Sequence, residues 1–358
     1  MKKLVILQTA TPDYRAGFFK YLKNSLNDKF ELYGGDTYFE KSISSDSLIE
    51  KIKVKNHFFL NRKLLFQTGV FHLVFKDIIL ILELNPRILS NWIILFLRKV
   101  NGKQTILWGH AWSRKGEQSK TEWLRNNMRK MATGIVVYTK KQKKELQKRM
   151  PSKKIYAAPN ALLDTSKMQT SNLKEEFINI IYVGRLTPQK KPMFLVRAFK
   201  KGLSKWPQGV KLFLIGEGEE KEKVITYIKK HNLEKNIIIK GHISDYNELK
   251  GLYDKSFFSI SPGYAGLSVT QSFGFGVPIL VSKNENHSPE IEAVIPNENA
   301  LFYETDNIDS FIEILNKAYL NRDYWILQRP IIVNFCKKEY STESMAKVFI
   351  DLILKSES

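Results

Sequence analysis

The chain has 358 residues, 43% of them apolar and 26% charged, with a net charge of +21 and one cysteine. That length exceeds one typical domain, and the composition is globular. The single Cys336 excludes an intrachain disulfide framework and fits a reducing compartment. The longest apolar runs, 78–82 and 92–97, are too short to cross a bilayer, and the apolar stretch after Lys2-Lys3 is too short for a signal segment. The charge is one-sided: residues 1–165 hold 31 Lys and Arg against 13 Asp and Glu, a net of +18. A basic half of this kind points to an anionic partner, either membrane lipid, a lipid-linked phosphate or nucleic acid. No nucleic-acid-binding module is recognisable, which sets nucleic acid aside.

In chain order, residues 3–9 read as a first buried parallel strand, ended by Pro12. Phe18, Phe19 and Leu22 mark a helix face, and residues 30–33 form a second strand before Gly34-Gly35. Tyr14 and Arg15 lie on the loop after the first strand, where open α/β sheets bind ligands. Residues 36–63 read as a surface excursion with a strand over 52–59. Core strands follow over 77–84 and 104–108, around a helix over 90–100 that Asn101-Gly102 stops. His110 stands just past a strand end, beside a glycine that permits close approach. Residues 114–130 and a helix over 140–150 are dense in Lys and Arg, and a basic amphipathic helix suits an anionic membrane surface. Strands over 134–139 and 155–159 complete this half, and the polar stretch 165–176 reads as a linker.

In the second half, Ile180, Ile181, Tyr182 and Val183 form a short buried strand that Gly184 ends. Arg185 and Lys190 then sit on a strand-to-helix loop. Arg offers a planar fork and Lys a point charge, a pair that suits a phosphate-bearing ligand. Strands and helices alternate from there, which argues for a parallel sheet with crossover helices. The glycines of segment 263–276 permit tight turns around a helix over 269–275, whose N-terminus is expected to face phosphates. Glu290 opens a further helix near its positive end, and Pro330 is expected to break or kink the helical tail over 323–354.

Gly184-Arg185-Leu186, followed by Lys190, resembles the donor-phosphate motif of GT-B glycosyltransferases, in particular the retaining family 4. Leu214-Ile215-Gly216-Glu217-Gly218 looks like that family's second strand and turn, and Ile239-Lys240-Gly241-His242-Ile243 is similar to its base-binding loop. The run from Ser261 to Ser268, with Gly276-Val277-Pro278-Ile279, resembles its donor-sugar region. The resemblance implies an α/β GT-B fold, two Rossmann-like doubly wound domains facing a central cleft. Residues 1–165 become an acceptor-side domain, 166–177 a linker, 178–335 the donor domain, and 336–358 a C-terminal helix returning to the first domain.

The implied reaction is retaining transfer of a hexose from a nucleotide-diphosphate sugar, UDP- or GDP-linked, with no cofactor. Its acceptor is a hydroxyl of a lipid-linked or polysaccharide glycan, at the inner face of the cell membrane, in bacterial cell-surface synthesis. The implied catalytic residues are Arg185, Lys190 and His110, the last because the Trp108-Gly109-His110 run is similar to one that faces the donor sugar. The implied donor-binding residues are Gly184, Gly216, Gly241, His242, Ile243, Tyr264, Ala265, Gly266, Leu267, Gln271 and Glu290; Tyr14 and Arg15 fall on the acceptor side. No carboxylate pair or metal-ligand cluster appears in a matching loop, so metal independence is expected, with fixed cations stabilising the leaving diphosphate.

The chain departs from the family at one point. Two glutamates eight residues apart are usual there, and Gly263 and Gln271 occupy those positions. Gln271 can still hydrogen-bond ribose hydroxyls, Gly263 has no side chain to offer, and Glu290 is a candidate replacement carboxylate. The departure, with the basic half, keeps open a second reading: a non-catalytic sugar-nucleotide or polyanion-binding protein.

Overall fold

In the computed structural model the described residues are 2–41, 43–113, 116–171 and 178–354. The chain forms two compact units, Met1–Leu162 with Ser341–Ser358, and Leu163–Tyr340. These divisions differ by a few residues from the expected 165, 178 and 336. Part of the expected linker, 172–177, lies outside the described residues.

Among the described residues the first unit has nine strands: β1 Lys3–Gln8, β2 Phe30–Gly34, β3 Ile52–Lys53, β4 Lys55–Phe59, β5 Leu64–Thr68, β6 Ile78–Glu83, β7 Thr105–Trp108, β8 Gly134–Val137 and β9 Lys154–Ala157. Seven of them make one parallel sheet in the order β3-β2-β1-β6-β7-β8-β9. The apolar runs of β1, β6, β7 and β8 are buried on both faces, as a covered parallel sheet requires. The poorly patterned excursion is more ordered than its sequence suggests: β4 and β5 form an antiparallel hairpin, turned by Leu60, Asn61 and Arg62 in left-handed backbone.

Helices α1 Ala16–Leu26, α2 Leu89–Val100, α3 Glu122–Met131 and α4 Lys140–Arg149 cover the sheet. Side chains of α2, α3 and α4 (Ile94, Leu95, Met128 and Leu146) share one core layer. Phe18, Phe19 and Leu22 of α1 share another with Met345, Phe349 and Leu352 of the C-terminal helix, Thr342–Leu354. Phe349 packs edge-on to Trp108 with centroids 4.9 Å apart. Of the α4 side chains only Leu146 is buried, and the helix has no second apolar residue. The expected amphipathic basic helix is therefore a solvated, almost wholly polar one.

The second unit adds β10 Asn179–Val183, β11 Leu212–Ile215, β12 Ile237–Gly241, β13 Ser256–Ser261, β14 Ile279–Ser282 and β15 Ala300–Tyr303. They form a parallel sheet in the order β12-β11-β10-β13-β14-β15, with the strand order reversing between β10 and β13. Its helices are α5 Pro192–Gly202, α6 Lys221–Lys230, α7 Tyr246–Asp254, α8 Ser268–Gly274, α9 Ile308–Leu320 and α10 Arg322–Tyr340. Two expectations are corrected. Pro330 lies inside α10 without ending it; Trp325, Arg329, Ile332, Val333 and Cys336 are buried along that helix, and tertiary anchoring outweighs the lost bond. The break comes instead between Tyr340 and Thr342. Residues 289–293 form a short 3-10 turn, not a longer helix.

Candidate functional site

In the second unit the loops after β10 and β13 meet where the strand order reverses, the place at which open α/β sheets hold ligands. The main-chain nitrogen of Tyr264 donates to the Gln189 oxygen at 2.9 Å, and Lys190 Nζ donates to the Tyr264 oxygen at 2.6 Å. Lys190 Nζ also lies 4.4 Å from the centre of the Tyr264 ring. A Cβ built on Gly263 would overlap the Gln189 oxygen, so this backbone admits only glycine there. No side chain, a glutamate included, fits at this position while the two loops pack this closely.

Burial, with help from the nearby Arg185 charge, lowers the Lys190 ammonium to about 8, and Glu290 opposes the shift. Arg185 itself is exposed. The two cations and the largely buried Glu290 carboxylate (5% exposed) form one electrostatic group. Lys191, the next residue, takes left-handed backbone, and its Nζ binds Glu285 Oε1 at 2.6 Å and Asp306 Oδ1 at 2.7 Å. That ion pair fixes the turn that aims Lys190.

The 263–268 loop is held from a third side. The Ala265 N–H donates to His287 Nδ1 at 3.0 Å, so Nε2 carries the proton and donates to the Ser282 oxygen at 2.9 Å. The Tyr264 hydroxyl is hydrogen-bonded to Ser288 Oγ, and the Ser288 N–H donates to the Ala265 oxygen at 2.9 Å. Gly266 faces Lys190 and Ser288, while Leu267 and Gln271 are half-buried at the start and middle of α8.

The remaining expected donor residues stand at the ends of β10, β11 and β12. The Gly184 N–H donates to the Ile215 oxygen at 3.0 Å, and the Gly216 N–H to the Gly241 oxygen at 2.7 Å. Gly216 has φ +141°, and a Cβ there would overlap the Gly184 oxygen. His242 is exposed and Ile243 half-buried just beyond.

The first unit has a polar group of its own where its strand order reverses, between β1 and β6. Of the expected acceptor-side pair, Tyr14 is exposed and Arg15 is buried. The Arg15 guanidinium lies 4.4 Å from the Trp108 ring centre and donates to Tyr138 Oη at 3.1 Å and Asn160 Oδ1 at 3.4 Å. The exposed His110 stacks edge-on against Tyr138, centroids 4.8 Å apart. Glu83, at the end of β6, was not among the expected residues. Its carboxylate accepts the Thr9 N–H at 2.5 Å, and burial raises its pKa against the pull of Thr9 and Arg15. A carboxylate ending the apolar run 78–82 is the signal that could have marked it. Among the described residues no group of three or more His, Cys, Asp or Glu could hold a metal.

Residues 164–331 match the family described as glycosyl transferases group 1. An uncharacterized glycosyltransferase of Methanocaldococcus jannaschii is 29% identical over 242 residues, covering 63% of this chain and 55% of that protein. A Campylobacter jejuni N-acetylgalactosamine-N,N'-diacetylbacillosaminyl-diphospho-undecaprenol 4-alpha-N-acetylgalactosaminyltransferase is 28% identical over 159 residues, 42% of this chain and 41% of that protein. The chain spans about half the length of the curated relatives it matches. The crystal structure of Anabaena HepE in complex with UDP superimposes with a TM-score of 0.70 at 14% identity, over 99% of this chain and all of that one. With the family match across the second unit and a parallel Rossmann-like sheet in each unit, the chain has the GT-B fold and its second unit is supported as a glycosyl transferases group 1 domain.

Proposed function

We propose that this protein is a retaining, metal-independent glycosyltransferase of family 4. It moves a hexose-type sugar from a nucleoside diphosphate to a hydroxyl of a lipid-linked or polysaccharide acceptor in bacterial cell-surface glycan synthesis. The observation that carries the reading is the Lys190 ammonium, held 2.6 Å from the Tyr264 oxygen beside Arg185 at the reversal point of the donor sheet. In this reading the leaving diphosphate accepts hydrogen bonds from Arg185 and Lys190 as charge develops on it, and fixed donors of this kind need no reorganisation. The bond between the anomeric carbon and the diphosphate oxygen breaks as the acceptor oxygen attacks from the same face, and the departing phosphate takes the acceptor proton. The name of the Campylobacter relative specifies an alpha product, the configuration a retaining enzyme gives from an alpha-linked donor.

Gly184, Gly216, Gly241, His242 and Ile243 line the nucleoside end in this proposal. Tyr264, Ala265, Gly266, Leu267, Gln271 and Glu290 line the sugar end. HepE was crystallised with UDP, which favours a UDP-linked donor here, with GDP the alternative. We assign His110 a catalytic role, and Tyr14 and Arg15 the acceptor side. The basic first unit suits peripheral association with the inner face of the membrane, and the name of the Campylobacter relative includes a lipid-linked diphospho-undecaprenol.

One observation favours a second reading. Gly263 cannot carry a donor-sugar carboxylate, as a non-catalytic sugar-nucleotide or polyanion-binding protein would not need to. The test is thermal stabilisation by UDP, GDP, dTDP, CMP and ADP in the wild type and in Arg185→Ala/Lys190→Ala, followed by donor turnover. A ligand selective for the native state adds about 2.7 kcal/mol at a hundredfold its Kd. A shift with one nucleotide, lost in the double variant, supports the donor site; turnover then separates the two readings. No shift with any nucleotide overturns the donor-site assignment.

A further inference from the structure

Helix α2 is apolar on its outer face as well as its inner one. Ile94 and Leu95 are buried in the core, while Leu89, Ile93, Phe96 and Val100, spaced by four, three and four residues, form a stripe on the solvent side. Phe96 is 58% exposed and Val100 70%. Between α2 and α3 runs an open groove of about 610 Å³, lined by Trp92, Ile93, Phe96, Leu97, Met131 and, at its polar edge, Lys130. On α3, Trp123 is 63% exposed. Scattered exposed apolar residues need no explanation, but a continuous stripe flanking a groove marks an interaction surface.

The charge around this surface identifies the partner. Residues 89–150 hold 15 Lys and Arg against 3 Asp and Glu; Arg98 and Arg129 are buried, while Lys99, Lys120, Lys130 and the five lysines of α4 are exposed. Helices α2, α3 and α4 lie on one side of the sheet, because their inward side chains share a single core layer. The apolar stripe of α2 and the lysine-covered α4 therefore belong to one side of the unit. Apolar side chains flanked by cations match an anionic lipid surface, with headgroups meeting the cations and the upper acyl region meeting the apolar stripe.

We propose that the α2–α3 face of the first unit docks on an anionic lipid bilayer, with Ile93, Phe96 and Val100 inserted among the lipids and Lys130 of α3 and the lysines of α4 on the headgroups. The inference rests on the membrane part of the function proposed above and uses nothing of its donor site. It replaces α4 alone as the docking element, since α4 has no apolar face to insert.

The experiment is flotation of the full chain with vesicles of phosphatidylcholine alone and of equimolar phosphatidylcholine and phosphatidylglycerol. The wild type is expected to float only with the anionic vesicles. Phe96→Ser/Val100→Ser, which keeps every charge, is expected to bind them about tenfold more weakly or worse, from the apolar area it removes from the lipid. Lys130→Glu with Lys120→Glu should weaken binding mainly at low salt. Acrylamide should quench the tryptophan emission less once anionic vesicles are added, and Trp123→Phe should reduce that protection. The nucleotide-induced thermal shift is the control for the second unit and should not change in these variants. If no nucleotide binds, the vesicle arm still decides this proposal. Equal flotation by the serine variant overturns the insertion, and equal binding of neutral vesicles overturns the charge argument. No flotation by the wild type, or a dimer in sedimentation that the serine variant dissociates, overturns the lipid assignment.

Discussion

Lys190 Nζ donates to the main-chain oxygen of Tyr264 at 2.6 Å, so the ammonium expected to meet a diphosphate is already oriented by the neighbouring loop. Lys190→Met removes the charge and keeps the length of the side chain. The expected result is loss of the nucleoside diphosphate thermal shift and a drop in turnover of about 10²- to 10³-fold, the usual cost of removing one preorganised donor. Thermal melts with and without UDP, and single-turnover rates, check it.

The same lysine gives the protein a pH signature. In the native state it titrates near 8, against 10.5 for an ordinary lysine. Between those values the unfolded chain binds more protons than the folded one, so the stability of the ligand-free protein should rise with pH through that window. Donor binding should change oppositely, weakening above about pH 8 as the cation is lost. Urea titrations at a series of pH values, in the wild type and in Lys190→Met, test both: the rise should vanish in the variant.

Gly263 should tolerate no side chain. Gly263→Ala must push the Gln189 carbonyl away, at about 1–3 kcal/mol for an overpacked site. Gly263→Glu, which restores the more usual residue, should lower nucleotide affinity instead of adding activity. Isothermal titration with UDP measures the loss. A gain in turnover from the glutamate would sink the argument that the two loops pack too closely for a side chain.

Glu83 makes a prediction for the first unit. Burial holds its carboxyl above the ordinary 4.5. Above 4.5 and up to the raised native value the folded state binds the extra proton, so stability should fall as pH rises through that interval. Glu83→Gln keeps an acceptor for the Thr9 N–H and should abolish that fall. If the group around Arg15 and Tyr138 also handles the acceptor, the variant should lower transfer while leaving the nucleotide shift intact.

Much of this architecture is legible in the chain because parallel strands covered on both faces are short, continuous apolar runs; residues 180–183 are the plainest case. The β4–β5 hairpin was only half visible. Leu64 to Thr68 is a weak alternation, and its turn uses Leu60, Asn61 and Arg62 in place of a glycine. The loop after β10 could be singled out from Gly184, Arg185 and Lys190, but its close approach to Gly263 could not, since Gln189 lies 74 residues away. Glu83 meets Thr9 across the same separation of 74 residues, through the β1–β6 pairing. Lysine density alone suggested that α4 was the membrane element, yet inserting into lipid needs apolar surface, which α2 has.

The second unit is one continuous stretch, Leu163–Tyr340, whereas the first is built from both ends of the chain. Phe349, on the C-terminal helix, packs against Phe18 and Trp108, far earlier in the sequence. During synthesis the second unit can close as soon as its own residues have emerged. The first unit, although made earlier, has to wait with the apolar side of α1 uncovered until residue 353 is added. A chain truncated after residue 340 and released should therefore resist protease over the later-made half and be cut in the earlier one.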